Sequence, residues 1–258
     1  MRHTLTLSAK VLSTLLLFAC LTTAGKANPF SGMDTKKGLS AVSDAVKAVT
    51  VSDADLQAAT KQMMDQMDAK NRIAPENSEY GKRLVNLTKN HANEEGMKLN
   101  FKVYLVQDIN AFATPDGSVR VFAGLMDKMT DDELRSIIGH EIGHVKLEHS
   151  LKRARTAYLG SAAAKVASAQ SGLGAQELAD LTEKFINAQY SQSNEFEADA
   201  YGVKFLKRHN YNLPAAESAL RKLLEIAGSG KGGGVNNLFS SHPDTKQRAD
   251  KVHDLITK

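Results

Sequence analysis

The stretch MTDDELRSIIGHEIGHVKLEHS, residues 129–150, decides how the chain is read, because it contains His140-Glu141-Ile142-Gly143-His144, an HExxH pattern. At about 100° per residue, His140 and His144 fall only ~40° apart on one helical face, so both imidazoles can reach one metal ion. Glu141 stands beside them, where a general base has to be. Thr130-Asp131-Asp132-Glu133 reads as a capping box with extra acids at the positive end of the helix dipole. Leu134, Ile137, Ile138, Ile142 and Val145 recur at helical spacing. Gly139 and Gly143 each cost about 1 kcal/mol against Ala in a helix, which is explained if another backbone or a substrate comes close there. Continuing the same helix puts His149 ~180° from His140, which predicts a structural polar residue outside the site.

Two histidines do not complete a catalytic zinc centre, which takes three protein ligands and keeps one position for water. Downstream, residues 193–199 supply the pattern E-x-x-A-D, with Glu195 and Asp199 one turn apart on a second helix. Glu195 is the expected third ligand, and Asp199 can accept a hydrogen bond from a ligand histidine.

Working outward toward the N-terminus, the period changes from helical to alternating. Phe101, Val103 and Leu105 alternate with Lys102, Tyr104 and Val106, and Val119, Val121 and Ala123 alternate with Arg120, Phe122 and Gly124. Two strands therefore flank the turn Thr114-Pro115-Asp116-Gly117, and a small antiparallel sheet is expected. Asn110-Ala111-Phe112-Ala113 lies between them, either as an edge strand that takes an extended substrate backbone or as part of an ordinary hairpin with Phe112 in the core. Upstream, helices are predicted over Asp53–Ala69, with Met63, Met64 and Met67 as core filler, and over Glu79–Ala92, with His91 a surface residue near its end.

Beyond the HExxH helix, the Ala- and Ser-rich stretch Leu151–Gly174 is interrupted by Lys152, Arg153, Arg155 and Lys165. It therefore falls short of the ~20 apolar residues that a bilayer needs. Helices follow over Glu177–Gln189, Ser193–Asn210 and Pro214–Ala227. A flexible run Gly228–Gly234 then leads to a last helix that Pro243 opens.

The chain has 258 residues, 42% of them hydrophobic, enough for one substantial core. Arg2, Lys10 and Lys26 supply three of its four net positive charges and residues 1–27 hold no acid, so no nucleic-acid partner is implied. Those 27 residues read as a secretory signal peptide: a basic start, the apolar run Val11–Leu21, then small residues. Cleavage falls before Cys20, in a lipobox-like Leu17-Phe18-Ala19-Cys20 that would anchor the chain to the outer membrane, or after Ala24 or Ala27. Residues 28–50 then form a tether and 51–258 the catalytic domain. Cys20 is the only cysteine, which excludes disulfides and a thiol nucleophile.

HExxH followed some fifty residues later by E-x-x-A-D resembles the zinc metallopeptidase family that includes HtpX and the CAAX prenyl proteases. The agreement extends to Asn110-Ala111-Phe112-Ala113, Gly124-Leu125-Met126, and Ser241-His242-Pro243 with Arg248, over roughly Asn77 to Val252. Without the family's membrane spans, the chain is most similar to its small periplasmic members of the LoiP and YcaL type. The resemblance implies a mainly helical α+β, zincin-like fold. One Zn²⁺ is held by His140, His144 and Glu195, Glu141 deprotonates the attacking water, and Asp199 orients a ligand or donates a proton. It also brings His242 to the zinc, to stabilise the oxyanion or to occupy the fourth position, and pairs Arg248 with Asp199. The expected activity is endopeptidase cleavage of unfolded or misfolded cell-envelope proteins. The alternative is a zinc-binding periplasmic chaperone or assembly factor whose weak proteolysis is gated. Oligomeric state is left open.

Overall fold

The computed structural model describes residues 51–161, 173–228, 238, 241–243 and 245–258. The expected signal peptide and tether lie outside these residues, as does the glycine run beyond Gly228, which itself ends a helix. Among the described residues, helices α1 (Asp53–Lys70) and α2 (Glu79–Thr88) precede strands β1 (Asn100–Tyr104), β2 (Ala111–Ala113) and β3 (Ser118–Phe122). Helices α3 (Ala123–Lys128), α4 (Asp131–Lys146), α5 (His149–Gly160), α6 (Ala175–Asn187), α7 (Gln192–Arg208), α8 (Pro214–Gly228) and α9 (Thr245–Thr257) follow. None of the described helices is long and apolar enough to cross a membrane.

The fold is α+β and mainly helical as expected, but its small sheet is mixed rather than antiparallel. The order is β1-β3-β2, with β1 parallel to β3 and β2 antiparallel to it. The hairpin across Thr114–Gly117 joins β2 to β3, with Gly117 in the left-handed region at φ 86° that a residue with a Cβ disfavours. The two strands legible by alternation are therefore not hairpin partners. Residues 105–110 carry the chain past β3, so that three-residue β2 takes the antiparallel side.

Both faces of the sheet are covered. Val103, Ala111 and Val121 face a core built with α2, α4, α7, α8 and α9, while Tyr104 and Phe112 face a second core with α1, α5 and α6. Met63, Met64 and Met67 are buried in that second core, filling it as expected. Arg120, which alternation places opposite the valines, is only 2% exposed because α1 lies over it. Its guanidinium makes a two-point bond to Asp68 at 2.9 Å, and Lys102 and Tyr104 bind the same carboxylate. Burial acts to raise the Asp68 pKa, but these donors overcome it and hold it down at about 2.

Helix α4 starts as predicted: the Thr130 hydroxyl accepts from the Glu133 N–H, and the Glu133 carboxylate accepts from the Thr130 N–H. It packs closely on α7 through its glycines. A methyl group at Gly139 would sit 2.6 Å from the Phe205 ring, and one at Gly143 would sit 3.1 Å from Tyr201. The close neighbour that these glycines admit is thus helix α7. The helix does not run on to Ser150. Glu148 is left-handed, with φ 59°, and α5 sets off from His149 in a new direction.

Candidate metal centre

The packing of α4 on α7 brings the first three candidate ligands together. His140 and His144 lie on one face of α4 with their Nε2 atoms 3.0 Å apart, and Glu195, in the first turn of α7, is fully buried against them. Its carboxylate oxygens lie 3.3 Å from His144 Nε2 and 3.7 Å from His140 Nε2. His242 completes the group, with Nδ1 3.1 Å from Glu195 Oε1. One ligand atom from each of the four lies within 4.8 Å of the others.

The far side of each histidine ring is held. His140 Nδ1 donates to Asp199 Oδ1 at 2.8 Å, and Arg248 grips the same Asp199 through Nε and Nη2 at 2.8 Å each. The expected pairing of Arg248 with Asp199 is thus present, and Arg248 Nη1 also reaches Glu195 Oε2 at 2.5 Å. His144 Nδ1 lies 3.2 Å from His149 Nδ1, and His149 Nε2 donates to Glu197 at 3.2 Å. His149 is not among the candidate ligands, as expected, but its placement on the far side of the helix is corrected, because it lies behind His144. The ~180° separation assumed an unbroken helix, and the left-handed Glu148 swings His149 back under His144.

With both Nδ1 atoms held in this way, two Nε2 lone pairs and a carboxylate converge on one point. Such a set of acceptors repels itself and suits a divalent cation. Burial holds the His144 pKa well below its ordinary value, which keeps the ring neutral as a ligand must be. Burial alone would raise Glu195, but His242 and Arg248 outweigh it and keep the carboxylate ionised. Glu141 is 1% exposed, and burial raises its pKa toward the range of a working base. Its Oε2 has no hydrogen-bond partner among the described residues.

Tyr190, missed in the sequence, stacks on His144 with centroids 3.7 Å apart and planes 10° from parallel. No motif pointed to it, since it lies between helices and reaches the site only through the fold. Asn110 to Ala113 form β2 with its lead-in, at the open edge of the sheet and against α4. Phe122 N bonds Asn110 O and Thr114 N bonds Ser118 O, so by antiparallel alternation the main-chain groups of Ala111 and Ala113 face away from β3. Next to the candidate ligands, a cavity of about 40 Å³ is lined by apolar residues including Ile137, Ala219, Leu220 and Leu223.

A second histidine–carboxylate group corrects the reading of His91 as a surface residue. His91 is 1% exposed. Its Nδ1 donates to Glu94 Oε2 at 3.1 Å, its Nε2 meets the Tyr211 hydroxyl at 2.9 Å, and His209 Nε2 donates to the same Glu94 oxygen at 3.0 Å. Arg208 closes the network on Glu94 Oε1 at 2.6 Å. Helix α2 ends at Thr88, short of the predicted Ala92, and the chain turns inward through a 3-10 turn at Glu94–Gly96.

The family model described as Peptidase family M48 matches residues 78–256. The chain is 38% identical to Metalloprotease YcaL of Escherichia coli (strain K12), over 99% of this chain and 98% of that protein. It is 37% identical to Metalloprotease LoiP of the same organism, over 87% of this chain and 90% of that protein. A third relative there, Beta-barrel assembly-enhancing protease, is 35% identical over 69% of this chain and 39% of its own length.

Proposed function

The chain belongs to peptidase family M48 and is a metalloprotease, and from that premise we propose that it is a zinc endopeptidase of the cell envelope, acting on unfolded or misfolded proteins. His140, His144 and Glu195 hold one zinc ion per chain in this reading. The observation that supports it best is the convergence of two Nε2 atoms 3.0 Å apart on a buried glutamate, with an unbonded Glu141 oxygen beside them. When bound, the ion polarises the peptide carbonyl and lowers the pKa of the attacking water toward ~7.

The chain's own residues do the rest. Glu141 takes the water's proton and passes it to the leaving amine, a role its raised pKa suits. Asp199, clamped by Arg248, fixes the His140 tautomer that presents Nε2. His242 faces the carbonyl oxygen as charge develops, or covers Glu195 between turnovers. The open edge at Ala111 and Ala113 takes the substrate backbone as an added strand, which requires an unfolded chain.

Residues 1–27 act as the export signal in this reading, ending before Cys20 with a lipid anchor in the outer membrane or after Ala24 or Ala27. Residues 28–50 tether the domain 51–258. The envelope assignment draws on the basic and apolar leader and on a relative whose name ties it to β-barrel assembly. A casein zymogram with and without 1,10-phenanthroline tests it. The wild type should clear casein, the chelator should stop it, and Glu141→Gln should lower turnover by about 10²–10⁴-fold with metal content unchanged. Unchanged cleavage in Glu141→Gln would remove Glu141 as the base. The contact of His242 with Glu195 favours, as a second reading, a gated protease that acts chiefly as a chaperone. Glu141→Gln would then suppress aggregation of an unfolded client as well as the wild type does.

A further inference from the structure

Five of the seven described side chains that carry a buried, unbonded polar atom stand together: Asn110, Glu141, Arg153, Tyr190 and His242. Buried polar groups are rarely left unpaired in folded proteins, so a cluster of them marks where a ligand's polar atoms belong. Glu141 and His242 are accounted for by the hydrolytic site. Arg153 is not.

Arg153 is one of the basic residues that interrupt the apolar stretch after the HExxH helix, yet it is only 6% exposed. Its guanidinium lies 4.5 Å from the centre of the Phe185 ring and 4.8 Å from that of Tyr190, and Tyr190 in turn stacks on His144. Arg153 therefore sits two stacked layers from a candidate metal ligand. Nη2 donates to the Ile186 carbonyl at 3.3 Å, while Nε and Nη1 have no hydrogen-bond partner among the described residues. Among the described residues no carboxylate lies within ion-pair distance, although each of the other buried arginines, Arg120 and Arg248, has one. A buried guanidinium without a counter-ion is costly, and two free N–H groups in a planar fork match a carboxylate.

The guanidinium borders a small pocket of about 30 Å³, lined also by Asn110, Phe112, Phe185 and Asn187. Asn110 and Phe112 belong to the edge-strand segment proposed to carry the substrate backbone. A peptide running along β2 would thus pass the mouth of this pocket, close to the bond being cut.

We propose that Arg153, held between Phe185 and Tyr190, forms an anionic subsite that binds a carboxylate of the peptide substrate close to the scissile bond. The carboxylate is an Asp or Glu side chain or the chain's own C-terminus. Asn110 Oδ1 accepts an N–H from the same peptide. The proposal rests on the peptidase reading above and adds a substrate preference to it.

The test uses the full chain loaded with zinc and fluorogenic peptides in pairs. One arm compares Asp or Glu with Asn or Gln at each of three positions on either side of the cleaved bond, in amidated peptides. The other compares a free C-terminus with an amide. In at least one arm the wild type should favour the carboxylate by roughly tenfold or more in kcat/KM, a preference that screening by salt reduces little. The arm that responds tells side chain from chain end. In Arg153→Gln the ratio of acidic to neutral turnover should fall to within about twofold, with Arg153→Lys between. Equal turnover of both members in every pair, or an unaltered ratio in a folded Arg153→Gln, overturns the subsite and leaves the peptidase reading intact. Should Arg153→Gln not fold, the wild-type ratios alone decide. Should no peptide be cut, the peptidase reading is what fails. Fluorescence anisotropy of the same pairs on Glu141→Gln then decides the subsite: tighter binding of the carboxylate member supports it and equal binding overturns it.

Discussion

Around His140, His144, Glu195 and His242 the ring nitrogens face one another, and buried oxygen and nitrogen atoms on Glu141 and His242 have no partner among the described residues. Around His91, Glu94 and His209 the same residue types lie just as close, but both nitrogens of His91 are bonded, Glu94 accepts from three side chains, and none of the three carries an unbonded buried atom. Residue type and proximity do not separate the two groups. What separates them is whether their hydrogen bonds close on themselves, as around Glu94, or leave lone pairs aimed at one point, as between His140 and His144. The open group suits a bound ion, and the closed one serves to join α2, the turn after it and the end of α7.

The contrast would break most visibly at His144. His144→Ala should abolish bound zinc, measured by plasma mass spectrometry, and reduce casein turnover to background, while the far-ultraviolet circular dichroism stays that of the wild type. At the closed group, Glu94→Gln should leave one zinc per chain but lower stability by about 2–3 kcal/mol in urea unfolding, because Arg208 and two histidines lose a shared charged acceptor. Loss of zinc in this variant would show that the closed group also binds an ion. Its pH dependence sharpens the point. Burial pushes the Glu94 pKa up, but His209 and His91 overcome this and hold it below 4.5, so its contribution is complete above that pH and disappears as pH falls below it. The wild type should therefore lose more stability than Glu94→Gln between pH 7 and pH 3. The smallest effect is expected at His149→Gln. Removing the ring behind His144 should weaken zinc affinity by about 10–100-fold, read by competition with a chelating dye, with less effect on casein turnover when zinc is in excess.

The parts of this arrangement that were legible in the sequence are those set by helical spacing within one element. His140 with His144 and Glu195 with Asp199 are each one turn apart, and the Thr130 capping box fixed where α4 begins. The mainly helical fold followed from the same periodicity. The parts that depend on a break were not legible. His149 comes under His144 because Glu148, with no glycine or proline to mark it, takes a left-handed conformation. His91 is buried because α2 stops early, and the parallel pairing of β1 with β3 depends on a three-residue strand too short to show a period of two. Arg153 and Arg120 were read as basic residues on otherwise apolar elements. That they are buried follows from what packs over them, α6 in one case and α1 in the other.

The stacking of Tyr190 on His144 also equips the molecule with an optical reporter. The chain contains no tryptophan and six tyrosines, so its ultraviolet emission is that of phenols alone. One of these phenols lies face to face with an imidazole of the candidate centre. Filling the centre or changing the charge on that ring alters the electronic surroundings of the phenol directly, and the unlabelled protein carries its own signal of occupancy.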